Sequence, residues 1–216
     1  MKIGVLGTGM VGRAIASRLV ALGHEVKMGS RTPDNENAAE WVAANGARAS
    51  QGTFADAAAF GELVFNCTSG DASLVVLRAA GAENLTGKAL VDVANTLDFS
   101  QGRPPSLLVT TKESLAEQIQ SAFPEARVVK TLNTMNCDVM VDPSLVPGRH
   151  NVFVSGNDES AKSEVKGLLQ SFGWPGEDIL DLGDITTARG PELYIPLWLR
   201  LYGTVGSGHF NIALVH

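Results

Sequence analysis

Short apolar segments alternate with amphipathic segments along most of the chain, from residue 2 to about residue 172. The apolar segments predict strands over residues 3–6, 25–28, 63–65, 89–93, 127–130 and 151–154. Their nearly continuous apolar character is typical of parallel strands that helices cover on both faces.

The segments between these strands have apolar residues at helical spacing. Over residues 10–22, Val11, Ile15 and Leu19 recur every four positions, and Gly23 stands where a helix-ending glycine belongs. Further helices are predicted over residues 36–44, 53–60, 73–80, 112–122 and 159–172. This alternation predicts an α/β fold with a doubly wound, mainly parallel sheet.

The pattern changes near Asp181, where an apolar and aromatic tail begins. Asp184 is predicted to cap a helix that runs toward Tyr202 and is interrupted around Pro191 and Pro196. We therefore divide the chain into residues 1–150 and a smaller C-terminal part, 151–216. Residues 192–215 are expected to contribute to a homodimer interface, because Tyr194, Leu197, Trp198, Leu201 and Tyr202 form a wide apolar stripe at helical spacing, with packing on the chain's own core as the alternative. The glycine-rich residues 203–208 can bring the backbone close to a planar ring, so the tail is also expected to close a ligand pocket.

Composition narrows the classes of function. The chain has 216 residues, of which 44% are hydrophobic and 19% are charged, so it can bury a core. Its net charge of −6 argues against nucleic-acid binding, which needs clustered Lys and Arg. Two cysteines are too few for a four-cysteine zinc site, and no apolar run has the length of a membrane helix. We expect a cytoplasmic protein without a metal centre.

The first strand leads directly into Gly7-Thr8-Gly9-Met10-Val11-Gly12, which has the G-x-G-x-x-G pattern and opens an amphipathic helix. Gly7 permits a tight turn, Gly9 lets the backbone approach a pyrophosphate, and Gly12 lets helix and strand pack closely. A glycine-rich turn without a ligand is the alternative. In this context the motif predicts a Rossmann-type dinucleotide-binding domain at the N-terminus.

The end of the second strand indicates which dinucleotide binds. The sequence there is Ser30-Arg31-Thr32, with no carboxylate to accept hydrogen bonds from the ribose 2′-hydroxyl of NAD. A guanidinium matches phosphate geometry, and the two hydroxyls add donors. NADP(H) is therefore favoured over NAD(H), unless Arg31 is only a solvated surface residue.

The segments GVLGTGMVG, ALGHEV, MGSR and VVKTLNTMN, together with the tail LGDITTARGPELYIPLWLRLYG, resemble the NADPH-dependent reductases of the deazaflavin coenzyme F420. The tail is also similar to the cytosolic domain of membrane metalloreductases that pass hydride from NADPH to a flavin. The resemblance implies hydride transfer between NADP(H) and a deazaflavin or flavin. It also places Thr8, Ser30 and Arg31 around the 2′-phosphate, although residues 33–36 lack the further basic residue that such proteins often have.

Loops after later strands are expected to line the nicotinamide site, because open α/β sheets bind ligands at the carboxyl ends of their strands. The residues concerned are Cys67, Thr68, Ser69, Ala94, Asn95, Met135, Asn136 and Cys137. For the acceptor pocket we select Asn133, Gly206, Ser207 and His209. Asn133 and Asn136 are candidates to hold the nicotinamide carboxamide, with turn formation as the alternative.

No catalytic side chain is predicted, since hydride transfer between two stacked rings requires proximity and orientation. No buried Lys/Asp or His/Asp group is evident in the sequence, and the helix with Lys162 and Lys166 is interpreted as solvent-facing. His24 and His216 are expected at the surface. The two cysteines are interpreted as small apolar residues rather than redox groups. A quinone, a ferric chelate or a non-enzymatic NADP(H) sensor remain alternative functions.

Overall fold

The structure is a computed structural model that describes residues 1–98, 100, 102, 105–107 and 112–215. The described strands are β1 (Lys2–Leu6), β2 (Glu25–Ser30), β3 (Ala49–Thr53), β4 (Leu63–Asn66), β5 (Ala89–Asp92), β6 (Leu97–Asp98), β7 (Ser106–Leu107), β8 (Arg127–Thr131), β9 (Val152–Gly156) and β10 (Ile179–Gly183). The described helices are α1 (Met10–Ala21), α2 (Glu36–Asn45), α3 (Phe54–Phe60), α4 (Gly70–Ala80), α5 (Leu115–Ala122), α6 (Cys137–Val141), α7 (Glu159–Phe172), α8 (Arg189–Leu193) and α9 (Ile195–Val205). His216 lies outside the described residues.

Within this part of the chain, eight strands form one sheet in the order β10-β9-β8-β5-β4-β1-β2-β3. Six adjacent strands of this sheet, in the order β8-β5-β4-β1-β2-β3, are parallel, and this is the strand order of a dinucleotide-binding sheet. The strand order reverses between β1 and β4, and a crevice for a ligand is expected there. The predicted α/β, doubly wound and mainly parallel fold is confirmed.

Both faces of this sheet are buried. Ile3 and Val5 of β1 belong to a core cluster with Ile15 of α1 and Val165 of α7. Alternate positions of the strands belong to a second cluster, in which Leu6 packs with residues of α3, α4 and α5. Side chains of successive strand residues point to opposite faces, so the continuous apolar segments supply two cores at once.

The sequence-based boundaries need three corrections. Strands β3, β6, β7 and β10 and helix α6 were not predicted. The β3 sequence, ASQGT, contains too few apolar residues, and Asp181 interrupts the apolar residues of β10, ILDLG. Strand β9 runs antiparallel to β8, and β10 is parallel to β9. Thr53 does not begin a helix turn but caps α3, accepting a hydrogen bond from the Asp56 amide.

The C-terminal tail forms three short helical segments. Asp184 caps a 3-10 turn over Ile185–Ala188 as expected, and α8 and α9 follow, with a proline near the start of α9. Gly206 ends α9 at φ 71°, a conformation that favours glycine. Beyond it, the Asn151 amide donates to the Ile212 carbonyl at 2.8 Å, so the chain end lies beside the start of β9. The sheet itself runs through the predicted division at residue 150.

Candidate functional site

The glycine motif has the geometry that phosphate binding requires. Gly7 adopts φ 115°, and a Cβ at Gly12 would lie 2.1 Å from the Gly7 carbonyl oxygen, so both positions need glycine. A Cβ at Gly9 would meet no protein atom within 4 Å. Gly9 is also the N-cap of α1 and offers no capping side chain. The first turn of α1 therefore faces open space with a positive dipole end, which suits a pyrophosphate.

The end of β2 presents one free cation. The Arg31 side chain is exposed and makes no ion pair or hydrogen bond with any residue that the structure describes. The Ser30 side chain is buried, and its hydroxyl donates to the Thr32 carbonyl rather than pointing outward. Of the predicted 2′-phosphate ligands, Arg31 and Thr32 are thus exposed, whereas Ser30 helps to shape the turn.

A cavity of about 490 Å³ opens at the carboxyl ends of β4, β5 and β8. Its walls include ten of the predicted cofactor residues: Met10, Val11, Cys67, Thr68, Ser69, Ala94, Asn95, Met135, Asn136 and Cys137. A second cavity of about 490 Å³ lies beside Thr8, Gly9 and Arg13, and it shares Met10, Asn136 and Cys137 with the first. Together they form a groove across the N-terminus of α1, a shape that suits an extended dinucleotide.

Two of the loops that reach the cavity are joined by paired amides. Asn95 Nδ2 donates to the Asn133 carbonyl at 2.8 Å, and Asn133 Nδ2 donates to Asn95 Oδ1 at 3.0 Å. Asn133 is buried and is not a wall residue of either cavity, whereas Asn136 lines both. Leu132 precedes this turn and has φ 63°, the one positive φ outside glycine in the described chain. Such a conformation is costly for leucine and marks a tightly constrained loop.

A buried polar network lies beneath the cavity wall. Asn66 Nδ2 donates to Asp92 Oδ1 at 2.8 Å, and the Thr68 hydroxyl donates to Asn66 Oδ1 at 2.7 Å. The Ala94 amide donates to the same Asp92 oxygen at 3.3 Å. The loops after β4 and β5 are thereby fixed to each other through side chains at the strand ends.

The expectation that the chain has no buried Lys/Asp group is wrong. Lys130 Nζ lies 2.8 Å from Asp92 Oδ2 and 2.9 Å from Glu192 Oε1, and all three side chains are at most 2% exposed. Burial lowers the pKa of Lys130, but the two carboxylates outweigh it, and the pKa is raised overall. Lys130 lies in an apolar strand, Asp92 ends another, and Glu192 is far away in sequence, so no local pattern connects them.

Lys162 corrects a second expectation. Its side chain is 3% exposed rather than solvent-facing, and its ammonium pairs with Asp181 at 3.0 Å and Glu159 at 2.7 Å. Lys166 from the same helix remains partly exposed and also pairs with Asp181. Neither lysine lines the cavities at the strand ends, so neither serves there as an acid.

The tail supplies one aromatic wall. Trp198 of α9 lines the first cavity and stacks with Tyr202 and with Phe210, each at 5.4 Å between ring centroids. Its indole Nε1 is buried without a hydrogen-bond partner among the described residues. Trp198 belongs to the apolar stripe predicted for the tail, but it was not predicted in the site.

The three tail residues selected for the acceptor pocket lie near the groove without forming its walls. Gly208 approaches Asn136 so closely that a Cβ would be 2.7 Å from the amide nitrogen. His209 Nε2 lies 3.5 Å from Asp138 Oδ2, and the His209 amide donates to the Ser207 hydroxyl. Gly206 is exposed at the end of α9. Neither cavity is lined by Gly206, Ser207 or His209.

The two cavity thiols are unpaired and unactivated. Burial, aided by Asp92, raises the pKa of Cys67, and burial with Asp138 raises the pKa of Cys137. Thiols in such surroundings stay protonated near neutral pH and are poor nucleophiles. Both line the cavity as small, weakly polar groups, which agrees with their sequence-based interpretation.

A sheet with this strand order, a glycine turn open at α1 and a groove across the strand ends define a dinucleotide-binding protein of the Rossmann class. The profile of the family described as "NADP oxidoreductase coenzyme F420-dependent" matches residues 2–96. A crystal structure of a candidate F420-dependent NADP reductase from Arthrobacter sp. FB24 is 52% identical, covers 100% of both chains and superposes with a TM-score of 0.94. The chain therefore belongs to this family of NADP oxidoreductases.

Proteins of lower sequence identity also match this chain. Metalloreductase STEAP3 of Rattus norvegicus is 31% identical over 92% of this chain, and metalloreductase STEAP2 of Homo sapiens is 26% identical over 99%. The chain spans 37% and 39% of their respective lengths. A reductive aminase from Aspergillus terreus, 20% identical with a TM-score of 0.68 over 95% of this chain and 62% of its own, shares the fold. In the part that the structure describes, no helix combines the length and apolar character needed to cross a membrane.

Proposed function

We propose that the protein transfers a hydride between NADP(H) and a planar acceptor of the deazaflavin or flavin type. The observation that carries this proposal is the groove itself. It joins the open N-terminus of α1 to a cavity walled by Trp198, so that one end suits a phosphate chain and the other a flat ring.

The residues present fit the dinucleotide. The first turn of α1 and Gly9 accommodate the pyrophosphate, and the unpaired Arg31 is available for the 2′-phosphate. Asn136 is placed to hold the carboxamide, since it lines both cavities and its carbonyl oxygen accepts from the Asp138 amide, leaving the NH2 group as a donor. When bound, NADPH would supply a hydride, which brings the acceptor one hydrogen and two electrons, and one proton from solvent would complete its reduction while NADP⁺ is released.

The cavity at the ends of β4, β5 and β8 promotes such a reaction by position rather than by acid–base chemistry. Its walls are mostly apolar side chains, amides, hydroxyls and protonated thiols, and Asp71 is the one ionisable carboxylate among them. Two rings stacked at reacting distance in a site that excludes water need orientation above all. Trp198 lines this cavity and is supported by stacking with Tyr202 and Phe210, so it offers the second ring an aromatic contact that is held in place.

The resemblance to metalloreductases supports a second candidate, in which the two electrons of NADPH reduce two equivalents of a ferric chelate. We propose the cytoplasm as the compartment, because two free cysteines are compatible with reducing conditions.

A comparison of acceptors tests the proposal. Purified protein is mixed with NADPH and, in separate reactions, with coenzyme F420, FMN, a quinone or ferric citrate, and consumption of NADPH and reduction of the acceptor are followed together. We expect stoichiometric turnover that is fastest with F420. Turnover with F420 or FMN would support the proposal, turnover only with ferric citrate would favour the second candidate, and tight NADPH binding without turnover would favour a sensor.

A further inference from the structure

The buried ion cluster has no role in the proposed chemistry, yet it lies directly beneath the site. The Lys130 ammonium has three N–H donors, and each has its own acceptor. These are Asp92 Oδ2 at 2.8 Å, the Ala94 carbonyl at 2.6 Å and Glu192 Oε1 at 2.9 Å. The acceptors belong to three parts of the fold: the end of β5, the loop after β5 and helix α8.

One side of the cluster fixes the cofactor side of the cavity. Ala94 is a wall residue whose carbonyl accepts from Lys130 and whose amide donates to Asp92. Through Asn66, Asp92 also holds Thr68, another wall residue. Two loops of the cavity wall are thus bound to one ammonium group.

The other side of the cluster fixes the tail. Glu192 accepts from Lys130 and from the Leu115 and Ala116 amides at the N-terminus of α5, at 2.7 and 3.1 Å. Glu192 lies in α8, which ends at Leu193. Helix α9 begins at Ile195 and places Trp198 at the cavity. Most of α9 is exposed, with Ile195 its one buried residue, so its own packing does little to hold it in place.

We propose that Lys130 is a positioning residue, which holds the cofactor wall at Ala94 and the Trp198 side of the cavity in a fixed relation. A buried ion cluster contributes little net stability compared with apolar residues of the same shape, so its main effect here is geometric. In this role, which rests on the proposed function, Lys130 keeps the two ring-binding walls at reacting distance. Displacements of about 1 Å in such sites reduce rates by about a hundredfold.

The double variant Lys130→Met with Asp92→Asn tests this role, since it removes both charges, keeps the side-chain shapes and leaves Glu192 on the α5 amides. We expect the NADPH Kd to change by less than about threefold while kcat with F420 falls by about tenfold to a hundredfold. Amide hydrogen exchange in α9 is expected to accelerate by about tenfold, as for other locally loosened elements. This exchange measurement needs no acceptor, so it decides the role of Lys130 even if F420 is not the substrate.

Arg189→Gln is the matched control. It breaks the other contact between α8 and α5, the Arg189–Glu117 pair, without touching Lys130. We expect wild-type kcat and α9 exchange in this variant. If the double variant fails to fold, Glu192→Gln takes its place, since it removes the charge that faces Lys130 and keeps one oxygen acceptor for the α5 amides. Unchanged kcat and exchange in the cluster variants, or equal losses in the Arg189 control, would overturn the proposal.

Discussion

At the scale of single residues, the three glycines of the phosphate loop meet three different requirements. Position 7 needs a glycine because its φ is positive, and position 12 because a Cβ there would clash with the Gly7 carbonyl. Position 9 needs a glycine so that the space in front of it stays open for a ligand. A side chain at position 9 should not affect folding, because no protein atom lies within 4 Å of a Cβ at Gly9. Substitutions at Gly9 and Gly12 therefore separate binding from stability.

We expect Gly9→Val to fold normally and to lose dinucleotide binding, because the branched side chain would occupy the space of the pyrophosphate. Calorimetric titration with NADPH and a thermal melt without ligand check the two parts. Gly12→Ala is the contrasting variant, and its melting temperature should fall, since its Cβ would lie 2.1 Å from a carbonyl oxygen. Normal NADPH affinity in Gly9→Val would show that the glycine turn binds no phosphate.

We expect Arg31 to decide the choice between NADPH and NADH. A hydrogen bond to a charged group contributes about 1.5–3 kcal/mol, so Arg31→Ala should weaken NADPH binding by about tenfold to a hundredfold. NADH affinity should hardly change, because NADH has no 2′-phosphate. Titration of both cofactors into wild type, Arg31→Ala and the exposed control Arg48→Ala gives the answer. Equal affinities of the wild type for NADPH and NADH would contradict the assignment.

The residues of the candidate site could be predicted from the sequence where a local sequence pattern identifies them. The glycine motif and Arg31 are read from adjacent positions, and ten of the predicted wall residues line one cavity. The Lys130 cluster was not predictable in this way, because its members come from β5, β8 and α8 and meet only in the folded chain. The buried state of Ser30 also depends on the turn that its hydroxyl forms with Thr32.

At the scale of secondary-structure elements, an ion pair joins the tail to the sheet helices. Arg189 of α8 donates two hydrogen bonds to Glu117 of α5, at 2.8 and 2.5 Å. Glu117 also completes a capping box with Ser114 at the start of α5. The hydrogen bond from Arg189 and those from Ser114 lower the pKa of Glu117 to about 2, against the opposing effect of its desolvation.

A folded-state pKa below the ordinary value of 4.5 means that Glu117 stabilises the fold while it is ionised. This contribution is fully present above pH 4.5 and is lost as the pH falls toward about 2. We expect the difference in unfolding free energy between wild type and Glu117→Gln to shrink over that range. Urea denaturation at several pH values measures it. A difference that does not vary with pH would exclude an ionised Glu117 as its source.

The aromatic wall is the second element-scale feature with a measurable consequence. We expect Trp198→Ala to raise the KM for the acceptor by about tenfold or more, since stacking and ring burial contribute about 1–3 kcal/mol. NADPH affinity should fall less, because the phosphate sites are elsewhere. Trp198→Phe keeps a flat ring and should recover part of the loss. Wild-type acceptor kinetics in Trp198→Ala would remove α9 from the acceptor site.

Periodicity predicted some helix boundaries closely, since α7 was predicted over its whole length and α1 to within one residue. The predicted start of α4 is three residues late and that of α5 three residues early. Strand β3 was missed because it lies at an edge and alternates small and polar residues, and β10 because Asp181 interrupts its apolar residues. Apolar pattern detects buried strands far better than edge strands.

At the scale of the whole molecule, the sheet unites both predicted parts of the chain. Parallel order was expected from the apolar strands, but the reversal at β9 has no sequence signal, since an antiparallel partner can be equally apolar. The tail then returns across the strand ends and is held by hydrogen bonds between Asn151 and residues Ile212 and Leu214. The site is therefore built from the N-terminal motif, the middle loops and the last helix together.

Helix α9 also leaves an apolar surface uncovered, which we propose to be the interface of a homodimer. Leu197, Tyr202 and Val205 are 55%, 47% and 56% exposed, and the sequence offers no charged residue among them except Arg200. Exposed apolar groups of this kind mark association surfaces, and a second copy would bury the same helix on both sides of a two-fold axis.

We expect sedimentation velocity to show a dimer in the wild type and a monomer after Leu197→Glu with Val205→Glu. The charge-matched control Val75→Glu alters a 66% exposed residue on α4 and should remain dimeric. Because α9 also bears Trp198, loss of the dimer should raise the acceptor KM while NADPH binding persists. A wild type that sediments as a monomer at micromolar concentration would assign the α9 surface to another partner or to none.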